Sequence, residues 1–113
     1  MTLINKETFD ELKQMSGDDF INELIDTFLE DAPKMIAEIK SALDSNDADT
    51  FRRAAHSMKS NAATFGATDL SALAKELEML GKENKLNETG DKLKSMEDAY
   101  ASVRHELEDL KST

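Results

Sequence analysis

Residues 18–43 read DDFINELIDTFLEDAPKMIAEIKSAL, and within them Ile21, Leu24, Ile25, Phe28, Ala32, Met35, Ile36, Ile39 and Leu43 recur at steps of three and four. At 3.6 residues per turn this spacing gathers them into one apolar stripe with charged residues around the rest, the pattern of a helix buried along one side. Asp18 or Asp19 is placed to cap its start. Pro33 falls inside the stripe. It removes one backbone hydrogen bond, so a bend is expected there without an end to the amphipathic face.

Upstream, Asn5 is placed to cap a short first helix within residues 3–15, with Ile4 and Phe9 at the spacing of a hydrophobic staple and Gly17 as its stop. Downstream, residues 45–49 form a polar turn with Asp47 as a cap. A third helix then carries Phe51, Ala54, Ala55, Met58, Ala62 and Phe65 on its apolar side and ends at Gly66. Thr68 is the expected cap of a fourth helix with core positions Leu70, Leu73, Ala74, Leu77 and Leu80. After a loop over residues 84–90, a fifth helix carries Leu93, Met96, Tyr100, Val103, Leu107 and Leu110. Tyr100 is expected in the core with a wet hydroxyl, and Met79, off its helix's stripe, at the surface. Residues 111–113 are expected to fray.

One Pro and four Gly are too little turn punctuation for a sandwich or barrel of short strands, and the fold class is all-α. Short connections between long helices favour antiparallel neighbours. The expected architecture is therefore an up-down-up-down four-helix bundle with a short additional N-terminal helix, one domain over residues 1–113. The formal charge of −10 argues against nucleic acid, whose phosphates are bound by clustered Lys and Arg. With no apolar run of membrane-spanning length and no signal-peptide pattern at the start, the expected location is cytoplasmic. The chain contains no Cys, so neither a disulfide framework nor a thiolate metal site is available to it.

Within this acidic chain, residues 51–68 contain no Asp or Glu, while Arg52, Arg53 and Lys59 give the stretch a charge of +3. On a helical wheel Phe51, Ala55, Met58 and Ala62 fall within about 60° of one another, and His56 points about 120° to 140° from the centre of that stripe, toward solvent. Arg52 lies one turn before His56, Ser60 one turn after, and Arg53 and Lys59 are its three-residue neighbours. A neutral nitrogen of such an exposed ring is available as a nucleophile. A phosphorylated ring would find charge-assisted donors close by, Lys59 the best placed. Ser57, Ser60 and Ala63 are small enough to let another protein's active site approach. The competing reading is an ordinary surface histidine. His105, beside Arg104, Glu106 and Glu108, is read that way.

The stretch from Ala55 to Ala67, AHSMKSNAATFGA, resembles the signature of histidine-containing phosphotransfer (HPt) domains, approximately A-H-x-L-K-G-S-[SA]-x-x-[LIF]-G-A. His56 matches the phosphoacceptor, Lys59 the lysine, Met58 the core-facing Leu, and Phe65, Gly66 and Ala67 the end of the motif. Ser60 stands where the family often has Gly. Residues 20–33, FINELIDTFLEDAP, also look like the helix that precedes the motif.

The resemblance implies a phosphorelay intermediate: His56 takes a phosphoryl group from a receiver-domain aspartate and donates it to another receiver. It implies response-regulator receivers, or a hybrid sensor kinase, as partners. No cofactor is expected on this domain, and Mg²⁺ is expected in the partner receiver. No P-loop or glycine-rich ATP-lid pattern is present, so no autonomous kinase activity is expected. A monomer is expected, with Met15 and Phe20 supplying apolar docking contact beside His56. The alternative is a helical adaptor that docks a receiver or another signalling partner without carrying phosphate. Metal binding is disfavoured because neither histidine sits in a Glu-x-x-His or His-Glu-x-x-His spacing.

Overall fold

A computed structural model describes residues 4–111; Leu3, Ser112 and Thr113, which the sequence reading also touched, lie outside them. Five α-helices follow in order: α1 Lys6–Ser16, α2 Asp18–Asp44, α3 Ala48–Thr64, α4 Thr68–Lys82 and α5 Lys92–Leu110, with a 3₁₀ turn at Leu86–Glu88 before α5. The long helices form a ring in which α3 packs between α2 and α4, and α5 closes the bundle against α4 and α2. The bundle is 42 Å long and about half as wide, with principal extents of 42 × 24 × 20 Å.

The seam of α2 is more regular than its composition suggests. Its buried residues Ile21, Ile25, Phe28, Ala32, Ile39 and Ala42, with half-buried Met35, alternate steps of four and three. That is a heptad repeat, whose 3.5-residue period suits the shallow crossing of antiparallel bundle helices. Toward the C-terminal end it buries Ala42 in preference to the expected Leu43, which is only half covered. α2 runs unbroken through Pro33, which lies on the exposed face. Phe28 anchors the centre: its ring packs 5.4 Å from that of Phe65 and, edge-on, 5.9 Å from that of Tyr100. Burying such a ring contributes about 2–3 kcal/mol.

The chain reverses by one repeated device. After α2, α3 and α4, a residue with positive φ (Asn46 at 56°, Gly66 at 78°, Asn84 at 57°) lets two N–H groups return to the last carbonyls of the helix. At α3 these bonds are Ala67 N–H to the Ala62 carbonyl at 2.9 Å and Gly66 N–H to that of Ala63 at 3.0 Å, a Schellman motif. Gly66 has a second reason to lack a side chain, because a Cβ there would lie 2.9 Å from the Asn5 carbonyl oxygen. Asn5 N–H donates to the Gly66 carbonyl at 2.7 Å, tying the N-terminal segment to the α3–α4 corner. Ile4 and Phe9 are both buried beneath it, as a hydrophobic staple requires.

Two of the four expected caps move by one residue. Asn5 and Asp47 accept N–H bonds from Thr8 and Thr50 as anticipated. Asp18, however, is already in the first turn of α2, because Gly17 at φ 83° turns the chain and takes the N-cap position, and Asp18 and Asp19 both lie in the turn where the helix dipole favours negative charge. Thr68 likewise opens α4 from inside, since Ala67, fully buried by the Schellman turn, occupies the cap position. Leu110, assigned to the core from periodicity, is 38% exposed at the last turn of α5. The Tyr100 hydroxyl is not wet: it is buried and has no hydrogen-bond partner among the described residues, and desolvation raises its pKa above the ordinary value. Lys111, expected to fray, pairs with Asp26 at 2.6 Å. Among the described residues no helix is long and apolar enough to cross a membrane.

Candidate functional site

α3 presents its apolar side inward through Phe51, Ala55, Met58 and Ala62, all fully buried, and this fixes the outward direction of His56. The His56 side chain is 55% exposed, as the wheel anticipates. Ser57, Ser60 and Ala63 are exposed beside it on the same helix. Their hydroxyls and methyl leave the imidazole edge open to an approaching protein. Asn61 donates to the Ser57 carbonyl at 2.7 Å and Thr64 to that of Ser60 at 3.0 Å, so the neighbouring polar side chains fold back onto the helix.

The decisive contact comes from a residue the sequence reading treated as one solvated carboxylate among many. Glu78, on α4, places Oε2 2.7 Å from His56 Nδ1 and Oε1 2.7 Å from Lys59 Nζ. Its side chain is only 15% exposed. A carboxylate is acceptor-only, so the first contact requires a proton on Nδ1, and in the neutral ring Nε2 is then the nitrogen with the free lone pair. Burial pushes the Glu78 carboxyl pKa up, but hydrogen bonds from Lys59 and His56 and their charges outweigh it and hold the group below its ordinary value.

The wheel of α4 contains the signal for Glu78. Residue 78 sits beside the buried Ala74 and Leu77 on the flank that also carries Ser71, whose hydroxyl donates to the Lys59 carbonyl at 3.1 Å. An acidic residue so close to the core stripe needs a partner on the adjoining helix. What the sequence lacks is the pairing of α3 with α4 in register, which brings together residues 22 positions apart.

The two arginines do not join the site. Asp49 accepts from Arg52 Nη2 at 3.0 Å and from Arg53 Nε at 3.0 Å, with Arg53 Nη2 also in contact. Both guanidinium groups are thereby drawn one turn toward the start of α3, away from the imidazole. The same residue lowers the charge of the helix: residues 51–68 carry +3, but α3 begins at Ala48, and with Asp49 set against Arg52, Arg53 and Lys59 its charge is +2. The positive charge next to His56 is therefore that of Lys59, already shared with Glu78.

Met15 and Phe20 are prominent at the surface, 85% and 50% exposed. They are not beside His56. The Phe28–Phe65 contact sets the register of α2 on α3, and from it Phe20 lies about 25 Å along the bundle axis from the level of His56 at 1.5 Å per residue. Met79 is 40% exposed, as expected. His105 is 80% exposed and pairs weakly with Asp109 at 3.8 Å.

The family model for the Hpt domain matches residues 23–113. The chain is 29% identical over 107 residues to the phosphorelay protein LuxU of Vibrio harveyi, covering 88% of this chain and 94% of that one. Its fold superposes on the crystal structure of histidine-containing phosphotransfer protein B (HptB) from Pseudomonas aeruginosa PAO1 with a TM-score of 0.90 at 27% identity, over 96% of this chain and 93% of the other.

Proposed function

Because the chain belongs to the Hpt domain family and so serves histidine phosphotransfer in a phosphorelay, we propose that His56 is its phosphoacceptor, loaded by one receiver domain and unloaded by another. The observation that carries this reading is the 2.7 Å contact of His56 Nδ1 with Glu78, which leaves Nε2 of the neutral ring with the free lone pair on a half-exposed side chain beside small, exposed residues.

The lone pair of Nε2 attacks the phosphorus of an aspartyl phosphate held by the receiver. An N–P bond forms, the P–O bond to the aspartate breaks, and its electron pair leaves with the carboxylate. No proton has to move: Nδ1–H stays on Glu78, whose negative charge faces the positive charge that develops on the ring. Donation is the reverse, an incoming aspartate attacking phosphorus while the N–P electron pair returns to Nε2. Mg²⁺ in the receiver supplies charge neutralisation at the phosphoryl oxygens. This chain supplies position, tautomer and an open approach, with Lys59 bound to the same carboxylate that holds the reacting ring.

In this reading residues 1–113 form a monomeric cytoplasmic phosphocarrier domain, without kinase activity and without a cofactor of its own. Its partners are receiver domains, free-standing or within a hybrid sensor kinase, and Ser57, Ser60 and Ala63 lie under the docked partner. Incubation with a phosphorylated receiver is expected to label the protein with an acid-labile, base-stable phosphate. His56→Gln, at a half-exposed position, should fold normally and take no label. A label that persists in that variant would end the assignment.

A further inference from the structure

Beyond the contacts of His56, the feature left without a role is a pair of lysines on α4. Lys75 and Lys82 are the three- and four-residue neighbours of Glu78 and share its flank, one turn before it and one turn after. Two contacts fix how α4 lies on α3. Ser71 Oγ donates to the Lys59 carbonyl, and Gly81 presses against the backbone of Arg52, where an added Cβ would come within 3.0 Å of Cα. This register sets Lys75 near the level of His56 and Lys82 near the level of Arg52, with Glu78 between the two lysines on α4.

The four cations differ in what they do. Arg52 is held by Asp49 and Lys59 by Glu78. Lys75 and Lys82 are exposed and form no ion pair among the described residues. Met79, 40% exposed, stands between them on the outer side of α4. A chain of charge −10 repels an anionic partner at long range, yet the group to be transferred is itself anionic. Free cations next to the acceptor reverse that repulsion locally, where field and approach coincide.

Resting on the assignment of His56, we propose that Lys75, Met79 and Lys82 form the α4 side of the docking surface, and that its occupant is the anionic face of a receiver domain carrying aspartyl phosphate. The two ammonium groups steer that face onto His56, and Met79 supplies an adaptable apolar contact between them. The partner then leans over α4 as well as α3, and the docking surface extends to the side of His56 opposite α2.

The test compares Lys75→Glu/Lys82→Glu with Lys40→Glu/Lys94→Glu, which has the same net charge. Lys40 pairs with Glu97 at 2.8 Å, so this control changes the α2–α5 side. The probe is a receiver domain phosphorylated with acetyl phosphate and shown to label the wild-type protein. The second-order transfer constant of the α4 variant is expected to fall about tenfold at low ionic strength and to recover to within about twofold at high salt, with a smaller loss in the control. A rate within twofold of wild type at low salt, or an equal loss in the control, would overturn the proposal. Phosphoramidate, which needs no docking, separates this result from the underlying reading. If it labels His56 in the wild type while the α4 variant transfers normally, only the docking surface is lost; if it never labels His56, both fall.

Discussion

Glu78→Gln is the most informative single substitution, because it keeps the shape of the side chain and removes only its charge. In the wild type the carboxylate accepts from Nδ1 of His56 at 2.7 Å, which places its charge about 4 Å from that of a developing imidazolium. Coulomb interaction at that separation is about 1 kcal/mol in water and about 4 kcal/mol at an effective dielectric of about 20. His56 is 55% exposed, so the value belongs near the watery end, about 1–2 kcal/mol. At 1.36 kcal/mol per factor of ten, transfer into His56 should slow by roughly five- to thirtyfold. The glutamine can also offer its NH₂ to Nδ1 and stabilise the opposite tautomer, which adds to the loss. Single-turnover rapid-quench transfer measures the rate, and ¹⁵N NMR of the imidazole reports the tautomer. Equal rates in the two proteins, with Nδ1–H retained in both, would refute the role given to the carboxylate. Stability carries a second signature. The Glu78 pKa is held below its ordinary 4.5, so its stabilising contribution is complete above that pH and is lost as pH falls through the lower folded value. The stability difference between wild type and variant should therefore be flat near neutrality and shrink only in acid.

Lys59→Ala should leave the helix content intact and shorten the phosphohistidine lifetime or slow transfer by about three- to tenfold, from loss of one charge-assisted donor, read by the decay of the label. Tyr100→Phe removes a buried hydroxyl that has no partner among the described residues and should be neutral or stabilising by up to about 1 kcal/mol in urea unfolding. Gly66→Ala forces a side chain onto a φ of 78° and against the Asn5 carbonyl, and should cost about 1–3 kcal/mol in the same assay.

The helices were legible because their signals are local. Apolar steps of three and four, Asn5 and Asp47 as caps, and Gly17 and Gly66 as stops each act within a few residues, and the structure places all of them where those signals point. His56 was legible for the same reason, since its outward direction follows from the stripe through Phe51, Ala55, Met58 and Ala62 on its own helix. What failed to show depends on neighbours in space. Glu78 is one of 24 acidic residues until α4 is laid against α3. The withdrawal of Arg52 and Arg53 turns on which acid each guanidinium reaches, Asp49 on their own helix taking both. The dry hydroxyl of Tyr100 and the exposure of Leu110 depend on how far the covering helices reach, which periodicity within α5 does not encode.

The claim at the centre of this account is that Nε2 of His56 carries the phosphoryl group because Glu78 holds Nδ1. Long-range ¹H–¹⁵N correlation of the protein after loading by a phosphorylated receiver locates the N–P bond on one ring nitrogen. The account predicts phosphate on Nε2 of His56 with the proton retained on Nδ1; phosphate on Nδ1, or on any other residue, would contradict it.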